Sequence, residues 1–410
     1  MTNSRKFGKS EIERLILALG ADGYRVIGPR VHDVGVAFGE ITRVSDLASG
    51  IRDVQDKGRY RLEASAGGEV FGVVNGAGSL KPFFFAPKET LIELRREPDG
   101  FAVSAVAPVP QRLAFLGVRA CDLAALAIQD RIFLRDRFTD AHYEARRKDA
   151  FFVAVNCTRS ASTCFCASMK TGPEATSGFD LVLTELEDAF LVESGSAAGE
   201  KIAAALDLIP APESEIATAR KKIDDCAAGM QRKLDTSQLP TLLYEEANNP
   251  HWDDIAARCL SCTNCTMVCP TCFCHTVMET PELDGNISRR VREWDSCFSL
   301  DHARIHGINF RPAIRDRYRQ WLTHKLAGWI DQFGTSGCVG CGRCITWCPA
   351  GIDLTEESIR NVTHRLSHEG LQAQDLRVGD AEHLPYQDQM FDLDRKSTRL
   401  NSSHTDISRM

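Results

Sequence analysis

The chain lacks any run of about eighteen apolar residues, so nothing in it reads as a transmembrane helix. Residues 2–10 are polar and 11–20 amphipathic, so an apolar signal segment after Met1 is missing too, and we expect a cytoplasmic protein with no membrane partner. Positive charge is not in surplus: a net charge of −7 gives no general affinity for nucleic acid. The GxGxxG fingerprint of a dinucleotide fold is absent, and Gly76-Ala77-Gly78 is too short to replace it. No nucleophile, hydride site or acid–base pair stands out, so the chain reads as a carrier and not as a complete enzyme.

Cysteine, by contrast, is abundant, with 16 in 410 residues. In a reducing compartment such a count points to metal ligands and not to disulfides. The stretch CLSCTNCTMVCP, from Cys259 to Pro270, repeats its spacing in CVGCGRCITWCP, from Cys338 to Pro349. In CxxCxxCxxxCP, three thiolates on a tight loop cap three corners of an iron–sulfur cube and the fourth serves the other cluster. This predicts two [4Fe-4S] clusters, the first held by Cys259, Cys262, Cys265 and Cys348, the second by Cys338, Cys341, Cys344 and Cys269. The proline after each run stops the local helix. Paired zinc ribbons also use CxxC elements, but zinc closes on four ligands and explains neither the third cysteine nor the fourth before proline.

Length allows two or three domains. Ser10 to Glu13 reads as a capping box opening a helix with Ile12, Leu15, Ile16 and Leu19 on one face. Short β-rich runs follow at 24–27, 35–41, 60–64 and 70–74, then a helix over 88–96. Runs 101–106 and 112–118 read as buried strands, 123–133 and 140–148 as helices, and 151–155 as a wholly apolar strand. A hairpin over 181–185 and 190–193 precedes helices at 197–206 and 213–228. The alternation predicts an α+β, α/β-like domain over 1–245. Its strand ends carry Cys121, Cys157, Cys164 and Cys166, where α/β sheets place their sites. Spacing alone leaves a zinc site, a third cluster and inert cysteines open for these four; Cys226 reads as packing.

The segment 246–353 is expected to be an all-α, ferredoxin-like dicluster domain, because helical periodicity runs over 311–333. Arg289, Arg290, Arg292, Arg304, Arg311, Arg315, Arg317 and Arg319 crowd the insert, either to offset cluster charge or as a solvated or docking face. Cys272, Cys274 and Cys297 read as packing, with zinc binding alongside His275 as the alternative.

Several stretches carry a family resemblance: GVRACDLAAL from Gly117, NCTRSASTCFCASMKTGP from Asn156, CPTCFC from Cys269, REWDSC from Arg292, NFRP from Asn309, His324-Lys325, and GCVGCGRCITWCPAGID from Gly337. Together they resemble the β subunit of cytoplasmic NiFe hydrogenases of the sulfhydrogenase, NADP-reducing type. The A subunit of anaerobic sulfite reductase is close to it. The resemblance implies a subunit without flavin or NiFe centre, relaying electrons between a flavin subunit that binds NAD(P)H and the NiFe small and large subunits. The alternative is delivery to a sirohaem subunit. It also implies that Cys121, Cys157, Cys164 and Cys166 hold a third [4Fe-4S] cluster.

The end of the chain departs from that pattern. Residues 351–392 resemble the middle of a class I S-adenosylmethionine methyltransferase, with Asp353 and Asp380 at the positions that meet ribose and adenine. The glycine-rich loop such a pocket needs is replaced by the cysteine motif, so no cofactor pocket is expected. Residues 395–410 are polar, without periodicity, and resemble translated adaptor sequence. We therefore expect a chimeric join at GIDLTE, with 354–394 a methyltransferase-like fragment.

Overall fold

The computed structural model describes residues 4–32, 35–135 and 138–357. Strands β1 (Arg5–Gly8), β2 (Arg25–His32), β3 (Gly35–Glu40), β4 (Ile51–Asp56), β5 (Arg59–Ala64), β6 (Lys88–Glu97), β7 (Gly100–Ala105), β8 (Leu113–Val118), β9 (Phe151–Val155), β10 (Leu181–Glu185), β11 (Ala189–Ser194), β12 (Ile209–Pro210), β13 (His275–Pro281) and β14 (Ile287–Trp294) carry the architecture. Eight form one sheet in the order β12-β1-β11-β10-β9-β8-β2-β3. Its centre, β10-β9-β8-β2, is parallel. Every residue of β8, β9 and β10 is buried, as a parallel sheet covered on both faces requires.

One face packs Leu116, Val153 and Leu183 against Leu15 and Leu19 of the opening helix, Ile12–Ala21. The other packs Phe115 and Phe152 against Phe84, Leu126 and Tyr143, the last two on helices Ala120–Phe133 and Ala141–Arg147. The mixed α/β expectation for this part of the chain holds. The opening helix also forms, but a 3-10 turn, Lys9–Glu11, leads into it without a side-chain cap, and Glu13 instead accepts the Val44 amide at 2.6 Å.

Three local expectations fail for tertiary reasons. Residues 88–96 are strand β6, because β14 and β7 pair with its two edges and supply a ladder that overrides helical spacing. Strand β7 forms but is not buried; Phe101 and Val103 face solvent. Residues 70–74 join no sheet. Their backbone is satisfied by side chains: the Glu185 carboxylate accepts from the Val70 and Phe71 amides, and the Arg119 guanidinium donates to the Phe71 and Val73 carbonyls.

The segment between the cysteine motifs is not all helical, which corrects that expectation. It contains the β13–β14 hairpin, and β14 pairs with β6 in a four-stranded sheet, β13-β14-β6-β7, that crosses the boundary anticipated near 245. Arg292 locks the crossing. Its guanidinium bonds the Glu89 and Asp140 carboxylates, with each of the three side chains largely buried. Arg146 joins Glu89 at 2.7 Å. Further on, helix Ile314–Thr323, a π-helical turn over His324–Gly328 and helix Trp329–Phe333 cover the expected helical stretch.

Removing one partner of a buried ion network strands the others without compensation. Arg292→Ala should lower stability by about 3–5 kcal/mol, read as a shifted urea midpoint of the oxygen-free protein, whereas Arg290→Ala, on an exposed face of the same strand, should leave it nearly unchanged.

Candidate metal centres

Both cysteine motifs fold the same way. Each begins with an extended loop that turns through two left-handed residues and ends in a one-turn helix, Asn264–Met267 in the first and Arg343–Thr346 in the second. The left-handed positions correspond: Ser261 and Thr263 in the first, Gly340 and Gly342 in the second. The second loop uses glycine because of what it touches. A Cβ on Gly340 would lie 2.7 Å from the Cys166 backbone, and one on Gly342 would lie 2.3 Å from the Thr163 carbonyl oxygen. The first loop meets no such wall and carries ordinary side chains.

A cavity of about 40 Å³ is lined by Cys259, Cys262 and Cys265 and, from the other motif, by Cys344 and Cys348. Phe298, Tyr318, Trp321 and Ile345 close it. The Ser261 amide donates to Cys259 Sγ and the Ile352 amide to Cys348 Sγ, each at 3.4 Å. Among the described residues the Tyr318 hydroxyl and Trp321 Nε1 are buried without a hydrogen-bond partner. Thiols around a void, with donors already aimed at sulfur and others unpartnered on the wall, suit a sulfur-rich cluster.

In the second set Cys338 and Cys344 pack in one core and Cys341 in the neighbouring one with Cys121, and the Gly340 amide donates to Cys338 Sγ at 3.4 Å. Lys325, presented by the π-helical turn, puts Nζ 3.4 Å from Cys269 Sγ and bonds Thr271 Oγ1 at 2.9 Å and the Gly337 carbonyl at 3.1 Å. Burial opposes the Lys325 charge, but Cys269 and Cys272 beside it outweigh burial and raise the ammonium above its ordinary range. A hydrogen bond with Cys272 and the Lys325 charge hold the Cys269 thiol well below its ordinary value, against burial.

Cys121 follows β8 and Cys157 follows β9, at the carboxyl ends of parallel strands, and both share one buried core with Cys164, Cys166, Val339 and Cys341. Burial pushes all four thiols of this set up. Beside them Arg343, almost inaccessible, ion-pairs with Asp122 at 3.0 Å, and its Nη1 has no hydrogen-bond partner among the described residues. A buried guanidinium with a spare donor beside Cys121 and Cys341 suits an anionic group there. Cys226 packs in the same core, and burial pushes it up to about 12.

Among the described residues no three His, Cys, Asp or Glu side chains converge closely enough for a single metal ion. His275 does not join Cys272, Cys274 and Cys297; its Nδ1 meets the Phe273 carbonyl and its ring the edge of Phe85. The insert arginines do not serve the cysteines as a group. Arg289, Arg290, Arg292, Arg304, Arg315 and Arg319 pair with carboxylates, while Arg317 donates to the Phe298 carbonyl. Buried cations beside the cysteines include Lys325, Lys81 and Arg343, and Arg317 bears on Cys259. Lys81 bonds the carbonyls of Thr266 and Met267 and lies over the Trp294 ring. Lys325 and Arg343 lie in stretches that carry the family resemblance, and Lys81 lies in none of them.

Lys325→Met removes a buried cation in contact with Cys269. The midpoint potential of one cluster should fall while the others hold, seen in a redox titration followed by paramagnetic resonance, with iron content kept.

A 4Fe-4S dicluster domain family matches residues 258–352. The chain is 33% identical over 280 residues to sulfhydrogenase 2 subunit beta of Pyrococcus furiosus, an alignment covering 67% of this chain and 79% of that protein. No solved structure matches the chain. No helix among the described residues is long and apolar enough to cross a membrane. With at least two [4Fe-4S] clusters and an electron-transfer role, the chain belongs to the family of sulfhydrogenase β subunits.

Proposed function

We propose that this chain is the cytoplasmic relay subunit of a hydrogenase complex, passing electrons between an NAD(P)H-oxidising flavin subunit and a NiFe small subunit. Cys259, Cys262, Cys265 and Cys348 hold one cluster, Cys338, Cys341, Cys344 and Cys269 a second, and Cys121, Cys157, Cys164 and Cys166 a third. The observation that carries the reading is the cavity in which Cys348 crosses to the three thiols of the other motif. Bound iron–sulfur clusters take up and release single electrons.

The protein's own groups set the terms. Peptide amides at Ser261, Gly340 and Ile352 stabilise negative charge on sulfur. Lys325 and Arg343 place positive charge beside the second and third sets. Aromatic walls, Phe298, Tyr318 and Trp321, keep water from the first. Exposure grades along the row: the third set is buried throughout, whereas Cys262 reaches solvent. Leu260 stands exposed beside it, an apolar contact suited to a partner that receives or supplies electrons there.

Iron and acid-labile sulfide, measured on protein prepared without oxygen, should correspond to three clusters, and Cys164→Ala should remove a third of both. Zinc without sulfide would end the reading, and unchanged iron in Cys164→Ala would end the third cluster. Tagged protein from its native cells should bring down flavin- and nickel-containing partners; a sirohaem partner would redirect the relay to sulfite reduction.

A further inference from the structure

A second cavity, beside the third set of cysteines, has no task in the relay. Its volume is about 250 Å³, just below the usual range of small-molecule pockets, roughly 300–1,000 Å³. Three neighbouring parallel strands end at it: Arg119 follows β8, Asn156 follows β9, and Glu185 closes β10. The crevice outside the carboxyl ends of such strands is where α/β folds take their ligands. Glu69, Phe71 and Val74 supply another wall, from the segment that the Glu185 and Arg119 side chains hold in place. Lys222, exposed on helix Glu213–Ala228, stands at the rim.

The charges around this cavity do not cancel. Lys9 pairs with Glu185 at 2.9 Å, Glu69 with Arg52, and Arg159 with Asp53. Arg119 is only 5% exposed and donates to the carbonyls of Phe71, Val73 and Val155. No carboxylate pairs with it, or with Lys222, among the described residues. The unmatched acid on the lining, Glu187, is exposed, so solvent and salt screen it. A buried guanidinium is screened far less. Phe71, Val74 and Leu186 add apolar wall, so the occupant that fits carries an anionic group on a short carbon frame.

We propose that this cavity binds a small organic anion, a carboxylate or a phosphate ester, through the charges of Arg119 and Lys222, and that its occupancy lowers the potential of the third cluster. The coupling follows from position. Arg119 stands two residues before Cys121, and Asn156 and Thr158 flank Cys157, so the cavity wall and two thiols of the third set belong to the same short segments. An electron added to that cluster deepens its negative charge beside the bound anion, and the two repel strongly where water is scarce. The anion therefore binds the oxidised protein more tightly, and by linkage its presence disfavours reduction. In this coupling the proposal rests on the three-cluster reading. The level of a small acid thereby adjusts electron flow at the buried end of the row.

The test uses the full chain, prepared without oxygen, in calorimetric titrations with succinate in one arm and glycerol 3-phosphate in the other, against a chloride blank of equal ionic strength. Saturable binding at one site per chain should appear, and the arm that binds more tightly names the class. Lys222→Glu should weaken it by about tenfold and Lys222→Arg should keep it, with iron content and the urea midpoint unchanged in both. A redox titration followed by paramagnetic resonance should find one cluster's midpoint lowered at saturating ligand and the others unmoved. No binding in either arm, or affinity unchanged in Lys222→Glu, overturns the site; a bound anion that leaves every midpoint in place overturns the coupling. Failure of the three-cluster reading is separate: the anion would still bind, but iron and sulfide would match two clusters only.

Discussion

The seating of the second cysteine loop on the loop that carries Cys164 and Cys166 is the contact on which the remainder of the molecule depends. The Phe165 amide donates to the Gly340 carbonyl at 2.9 Å, and Thr171 Oγ1 to the Val339 carbonyl at 2.7 Å. Asn75 reaches the Cys341 carbonyl at 3.0 Å, and Thr163 meets Thr346 at 2.8 Å. Such close backbone approach leaves no room for a Cβ at Gly340 or Gly342, and both residues also need positive φ, which only glycine adopts without strain. The dicluster segment is therefore not an appended module. It is built against the carboxyl edge of the parallel sheet, and the β6–β14 pairing secures it from the other side.

Electrostatics explains why so much of this contact is polar. Thiolate-ligated clusters are anions, and an anion in a dry interior needs fixed positive charge or oriented dipoles nearby. Exposed arginines would be screened by solvent and are already paired with carboxylates. The buried Lys325, Lys81 and Arg343 are not screened in that way, and each is held by carbonyls, hydroxyls or a single carboxylate. Arg343 serves two purposes, since its Nε bonds the Gly76 carbonyl at 3.1 Å while its charge faces Cys121 and Cys341. The same residue that ties the N-terminal part to the cysteine loop thus sets the field there.

What was legible in the sequence was what depends on local spacing. The two CxxCxxCxxxCP runs carry their own geometry, and β8 and β9 are apolar at nearly every position because both faces are covered. What was not legible depends on partners distant in the chain. In KETLIELRRE, from Lys88, helical and strand spacings compete, and only the pairing with β14 decides. Residues 70–74 have strand composition, but Glu185 and Arg119 take up their backbone groups first. His275 lies beside Cys274 in sequence yet points away from it, as neighbours on a strand do. His302, farther along in a short turn after the hairpin, meets Asp295 at 2.7 Å.

The same logic bears on the join expected at GIDLTE. If Asp353 belonged to a nucleoside pocket, its carboxylate would face a cleft at a strand end. Instead it is buried, accepts from Arg232 Nε at 2.8 Å, and caps its own turn through the Thr355 amide and hydroxyl. Arg232 in turn bonds the Ser162 carbonyl, next to the cysteine loop of the third set. Glu356 pairs with Lys57, and Glu357 with Arg258 on the helix that leads into the first motif. Residues 351–357 therefore complete the cysteine fold, and Asp353 is committed to holding it. The methyltransferase-like remainder, from 358 onward, lies outside the described residues; whatever its origin, the aspartate that would have opened its cofactor site is already in use.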